Sequence, residues 1–240
     1  MTFVVKKEIS LLSFPIFDNQ IKNMKSITLA LLLLSTMSYA QDFANFGRYE
    51  KQNQQVISQN IAPNSVLMGD SITEGWFSTD PEFFTKNNFV GRGISGQVTS
   101  QMLLRFREDV IKLKPKRVII LAGTNDIAEN QGPISLDKVF GNIVSMTELA
   151  KSNNIKVILC SVLPAYDFPW RSGMKPADKV IALNQMIKDY AKKNNLTYVD
   201  YHSVLKDEKN GLPKDIAEDG IHPTKLGYEK MEAILVKSLK

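Results

Sequence analysis

The 240-residue chain carries one cysteine and two histidines, and both shortages narrow its chemistry. Cys160 stands inside an apolar run, so there is no disulfide framework and no lipid-accepting cysteine follows the N-terminal segment. Any imidazole base must be His202 or His222. Charge of one sign is scarce too. The formal net charge is +5, and the first 40 residues supply +2 of it, with Lys6, Lys7, Lys22 and Lys25 against Glu8 and Asp18. The remainder is scattered lysine among acids, with no basic stripe of the kind that binds nucleic acid. The longest apolar run, 27–34, falls far short of the ~20 residues a membrane span needs. The chain also lacks G-x-S-x-G, internal repeats, low-complexity tracts and, after residue 45, any linker-like composition.

The N-terminal run has its own meaning. From Met24 the sequence reads MKSITLALLLLSTMSYA: a lysine, an apolar core, then small residues around Ser38-Tyr39-Ala40. That is the pattern of a secretory signal peptide cleaved after Ala40, with Met24 as its start. The expected organisation is therefore residues 1–40 as extension plus leader and 41–240 as a single exported domain, periplasmic or extracellular, without stable membrane insertion.

Past residue 60, short apolar runs alternate with helical patterns. Runs at 65–68, 88–90, 117–121 (RVIIL), 156–162 (KVILCSV) and 196–201 (LTYVDY) lack the alternation of a half-exposed sheet, as strands buried on both faces do. Between them come Met102, Leu103, Phe106, Val110 and Ile111, then Ile143, Met146, Leu149 and Ala150, then Val180, Leu183, Met186, Ile187 and Tyr190; Leu226, Met231, Ile234 and Leu235 close the chain. Strand and helix in alternation predict an α/β fold with a five-stranded parallel sheet and helices on both faces.

In such sheets the chemistry gathers at the carboxyl ends of the strands. Those ends read Gly69-Asp70-Ser71, Gly91-Arg92-Gly93-Ile94-Ser95-Gly96, Ala122-Gly123-Thr124-Asn125-Asp126 and Leu163-Pro164-Ala165-Tyr166-Asp167. Past the fifth strand stands Asp219-Gly220-Ile221-His222-Pro223. GRGISG matches the dinucleotide fingerprint in form. It lies in the second strand-helix turn, however, and the next strand ends in Gly-Thr-Asn-Asp rather than in a ribose-binding acid. A glycine-rich turn whose N–H groups approach negative charge is the milder reading.

Ser71 at the end of the first strand needs a base, an orienting partner and oxyanion donors if it is to attack an ester. His222 lies three residues after Asp219, and Gly220 between them lets one short turn present both side chains. The alternative for Asp219 is a cap on the last helix beside a surface histidine. Oxyanion donors converge from separate strand ends: the Ser71 and Gly96 backbone N–H groups and the Asn125 side-chain amide.

GDSITEGW, GISG, GTND and DGIH resemble the four ordered sequence blocks of the SGNH (GDSL) esterase/lipase superfamily, over about residues 62–240. The resemblance implies a flavodoxin-like three-layer α/β/α sandwich. It also implies Ser71 as nucleophile, His222 with Asp219 completing the triad, and Gly96 and Asn125 in the oxyanion hole. Neither a metal nor a cofactor is then needed. Many relatives carry Asp where this chain has Gln97, a departure that touches supporting hydrogen bonds. The lid of a true lipase is missing, whereas Trp76 and the 165–176 segment offer Tyr166, Phe168, Trp170 and Arg171 as a pocket on which a sugar ring could stack. The expected substrate is thus a small O-acyl ester, foremost an acetylated glycan. A lysophospholipase or thioesterase acting on longer acyl chains, and a non-catalytic carbohydrate-binding module, remain open.

Overall fold

The computed structural model describes residues 42–239, so the leader at 24–40 lies outside the described residues. Five strands form one sheet: β1 (Ser65–Gly69), β2 (Phe89–Gly93), β3 (Arg117–Ile120), β4 (Lys156–Cys160) and β5 (Thr197–Val199). All neighbours pair in parallel in the order β2-β1-β3-β4-β5, the doubly wound order of flavodoxin-like proteins.

Helices cover both faces, and the strands' own side chains explain why. In β1, Val66 and Met68 enter one core, with Met102 and Phe106 of α4 (Thr99–Asp109), Ile143 and Met146 of α6 (Leu136–Ser152), and Leu183 and Ile187 of α7 (Ala177–Lys193). Leu67, between them, enters the opposite core with Ile72 and Trp76 of α2 (Ser71–Thr79) and Tyr228, Met231 and Leu235 of α9 (Lys225–Ser238). Successive side chains on a strand point to opposite faces. A strand covered on both sides must therefore be apolar throughout. The expected three-layer α/β fold is present.

Four further helices carry no clear apolar period in the sequence: α1 (Glu50–Ser58), α3 (Pro81–Asn87), α5 (Thr124–Ile127) and α8 (Tyr201–Leu205). Local capping accounts for two of them. Asp80 accepts from Phe83 N at 2.9 Å ahead of Pro81, and Asp200 accepts from Ser203 N at 3.0 Å, each filling an orphan donor of a first turn. Two boundaries also move. β2 runs on to Gly93, so the first half of GRGISG is strand and not turn. The helix after it stops at Asp109 and a short 3-10 turn, Ile111–Leu113, leads to Pro115.

Candidate active site

β1 ends where α2 begins, with a single residue between. Asp70 is that residue, and its Oδ1 accepts from Ile72 N at 3.0 Å, which places Ser71 at the first helical position. The junction is held from several sides. Gly69 O receives Ile94 N at 3.2 Å and the buried guanidinium of Arg105 at 3.0 Å. Tyr228 O–H donates to Ile72 O at 2.8 Å, tying the first turn of α2 to α9. Asp70 itself is fully buried, and desolvation pushes its carboxyl up to about 6 against the hydrogen bond from Ile72 N.

Gly93 explains why β2 and α2 lie so close. A Cβ there would press against Glu74 N and stand 2.5 Å from Asp70 O and 2.7 Å from Thr73 C. The glycine pattern that mimics a nucleotide motif thus serves close approach of strand and helix.

Ser71 Oγ lies 2.9 Å from His222 Nε2, and His222 Nδ1 lies 2.7 Å from Asp219 Oδ2. The turn that presents the pair is organised by Asp219 itself, whose Oδ1 accepts from Ile221 N at 2.9 Å and His222 N at 2.8 Å. Gly220 supplies the left-handed bend at φ 80°. Capping of α9 falls instead to Thr224, whose hydroxyl accepts from Gly227 N at 3.4 Å. Burial works to raise the Asp219 carboxyl, yet the hydrogen bonds from the His222 ring and from the His222 and Ile221 N–H groups outweigh it and hold the group below its usual range. An ionised carboxylate only accepts, so the proton sits on Nδ1 and Nε2 faces the Ser71 hydroxyl as acceptor.

Two other turns meet this edge. Gly96 stands at φ 77° with open space where a Cβ would be. Asn125, on α5, is buried; its Nδ2 donates to Gln97 O at 3.0 Å and lies 3.4 Å from Asp70 Oδ2. The second contact is long enough to be exchanged for a better acceptor. Gln97, the departure from the family pattern, accepts from Arg105 Nε at 2.6 Å and donates to Ala44 O at 2.7 Å. Arg105 in turn pairs with Asp109 at 2.8 Å. Next along α5, Asp126 receives Thr99 N at 2.9 Å and Thr99 Oγ1 at 2.6 Å, joining the β3 turn to the start of α4.

The expected substrate residues divide. Trp76 is 1 % exposed, stacks on Phe83 at 5.6 Å and Tyr228 at 5.7 Å, and donates to Glu232 at 2.9 Å. Phe168 is wholly buried. Trp76 is thus a core residue and not a pocket wall, a correction with a plain cause: large rings bury where a core can receive them. Phe168 also packs into a core, yet it borders the groove beside Tyr166. Tyr166 and Trp170 are 55 % and 43 % exposed. Trp170 lies 6.3 Å, ring to ring, from His222, and Arg171 reaches Glu129 at 3.9 Å. Tyr166 lines a groove of about 400 Å³ whose walls also include Asp207, Lys209, Glu218, Asp219 and Gly220. Asn130 and Arg105 had no sequence signal of their own, since each acts through a partner that the chain alone does not place beside it.

A serine, a histidine and an aspartate hydrogen-bonded in series at the carboxyl edge of a doubly wound sheet define a class of hydrolase architecture. Residues 67–230 match the model of the GDSL-like lipase/acylhydrolase family, and the chain belongs to that family; its domain is a carboxylic ester hydrolase by that membership. A GDSL-like lipase from Bacteroides thetaiotaomicron is 48% identical, with a TM-score of 0.77 over 82% of this chain and 98% of that one. A multidomain esterase of Ruminococcus flavefaciens is 31% identical over 62% of this chain and 18% of its own length. An acetylxylan esterase of Xylanibacter ruminicola is 29% identical over 35% of this chain and 16% of its own. The chain spans at most 33% of the length of the curated relatives it matches.

Proposed function

We propose that this protein removes short acyl groups, foremost O-acetyl groups of carbohydrates, by double displacement at Ser71. The observation that carries the reading is the unbroken hydrogen-bond series Ser71 Oγ, His222 and Asp219, at 2.9 and 2.7 Å. Ser71 attacks the acyl carbonyl as His222 Nε2 takes its proton. Asp219 holds the imidazole in the required tautomer and balances the charge that forms. The tetrahedral oxyanion rests on the Ser71 and Gly96 N–H groups and the Asn125 amide. His222 then gives its proton to the departing alcohol, and water, deprotonated by the same histidine, releases the acid and regenerates the serine.

A carbohydrate alcohol is favoured by what surrounds this series. Trp170 offers an exposed ring beside His222, and Tyr166 a second one along a groove with carboxylates and two lysines, the mix of aromatic face and polar rim that suits a hydroxyl-rich ring. The likeness to an acetylxylan esterase points the same way. The completeness of the Ser71, His222 and Asp219 series supports catalysis over mere glycan binding. The pattern at 24–40 supports export. A panel of acetylated glycans, read by acetate release, tests the substrate, and a p-nitrophenyl ester series tests acyl length. Sharp preference for the C2 ester is expected; preference for C8 or longer would favour a lysophospholipase or thioesterase. Ser71→Ala at wild-type turnover would refute the mechanism.

A further inference from the structure

Asn130, in the turn beyond α5, has both ends of its amide engaged. Nδ2 donates to Asn125 Oδ1 at 2.7 Å, and Oδ1 accepts from Trp170 Nε1 at 3.0 Å. Its backbone N–H also donates to the Asn125 carbonyl at 3.0 Å, so the two asparagines are tied twice. Glu129, at φ 56°, turns the chain back to make this possible.

A carboxamide has ends of opposite polarity, and a half-turn of its last torsion exchanges them. Toward a developing oxyanion the Asn125 nitrogen attracts, while its oxygen would repel. Its orientation therefore matters as much as its position. An indole N–H can only donate, so Trp170 compels Asn130 to face it with oxygen. Asn130 must then face Asn125 with nitrogen, and Asn125 must answer with oxygen. The far end agrees: Gln97 O can only accept, and it receives Asn125 Nδ2 at 3.0 Å. Two groups that cannot reverse their roles thus fix the polarity of the whole series.

We propose that Asn130 is a positioning residue for ester hydrolysis, oriented by the Trp170 indole N–H, which locks the Asn125 amide with its nitrogen toward the oxyanion. The inference rests on the oxyanion role given to Asn125 above. Trp170 also lies beside His222, so the loop beside the general base and the oxyanion donor share one anchor.

The test is kinetics on p-nitrophenyl acetate with Asn130→Asp, Asn130→Ala, Asn125→Ala, the double alanine variant and Trp170→Phe. Asn130→Asp keeps size and the acceptor for Trp170, yet turns an oxygen against Asn125 Oδ1. It is expected to lower kcat about 10- to 100-fold with KM within about twofold, short of the 10²- to 10³-fold typical when a donor is removed outright. Trp170→Phe, which keeps a ring but loses the N–H, is expected to lower kcat in the same direction and less. The double alanine variant is expected to be no slower than Asn125→Ala alone, because Asn130 acts through Asn125; independent structural damage would add. Wild-type kcat in Asn130→Asp, or additive losses in the cycle, overturns the inference. Should Asn130→Asp fail to fold, Asn130→Ala and the cycle decide. The two readings also fail separately. Turnover by Ser71→Ala refutes the serine mechanism, whereas an inactive Ser71→Ala beside an unimpaired Asn130→Asp refutes only the role of Asn130.

Discussion

Replacing Gly93 with alanine adds one methyl group outside the reacting set, yet it is expected to damage the enzyme twice. The new Cβ would meet three backbone groups of the β1–α2 junction: Glu74 N, Asp70 O at 2.5 Å and Thr73 C at 2.7 Å. Ordinary C···O contact lies near 3.3 Å, and backbone cannot rotate away as a flexible side chain can. Either β2 or the first turn of α2 must therefore move by close to 1 Å. Overpacking of this kind costs roughly 1–3 kcal/mol. Ser71 rides on that turn, 2.9 Å from His222 Nε2, and a misplacement of about 1 Å costs on the order of 10²-fold in rate. Urea unfolding and kcat for p-nitrophenyl acetate are the two readings. Gly141→Ala is the control: Gly141 lies in α6, and a Cβ added there would have nothing within 4 Å. It is expected to gain about 0.5–1 kcal/mol from helix propensity with no change in kcat. Wild-type stability and turnover in Gly93→Ala would refute the reasoning that this glycine exists for close approach.

Other perturbations follow from the same geometry. If Asp219 orients His222 as proposed, Asp219→Asn is expected to lower kcat on the order of 10³- to 10⁴-fold, as loss of the orienting carboxylate does in a Ser-His-Asp triad, with the thermal midpoint measured alongside to exclude unfolding. Asp70 gives a pH signature. Its folded-state carboxyl titrates at about 6 against an ordinary value of 3.8, so the folded state holds the proton more tightly. The resulting stabilisation is full below 3.8 and is lost as pH rises through about 6, by up to about 3 kcal/mol for a shift of this size. Subtracting the Asp70→Asn stability profile from that of the wild type should leave that step between about pH 4 and 7; a flat difference contradicts it. Thr224→Ala removes the α9 cap and is expected to cost about 1 kcal/mol in denaturant unfolding.

Much of this was legible in the sequence where local physics decided the outcome. RVIIL and KVILC announce buried parallel strands because both faces of the sheet are covered, and the residues that close the strand ends stand next to them. Ser71, Asp219 and His222 could be grouped because one needs the start of a helix and the other two need a three-residue turn. Side-chain burial was less visible. Trp76 and Phe168 stand beside reactive turns in sequence yet point into the core, since the direction of a ring depends on what packs against it. Arg105 and Asn130 were invisible for a related reason: a guanidinium under Gly69 and an amide beneath Asn125 make sense only once the turns are together. The glycines of GRGISG misled by pattern, because close approach of two protein segments and close approach to a phosphate call for the same residue.

The central claim is that Ser71 is the nucleophile, and one measurement bears on it most directly. The protein is treated with a fluorophosphonate, then digested, and the adduct is located by mass spectrometry. The expected result is a single adduct on Ser71, absent from Ser71→Ala and strongly slowed in His222→Ala, with esterase activity lost in step with labelling. An adduct on another residue, or full activity after Ser71 is modified, would contradict the account.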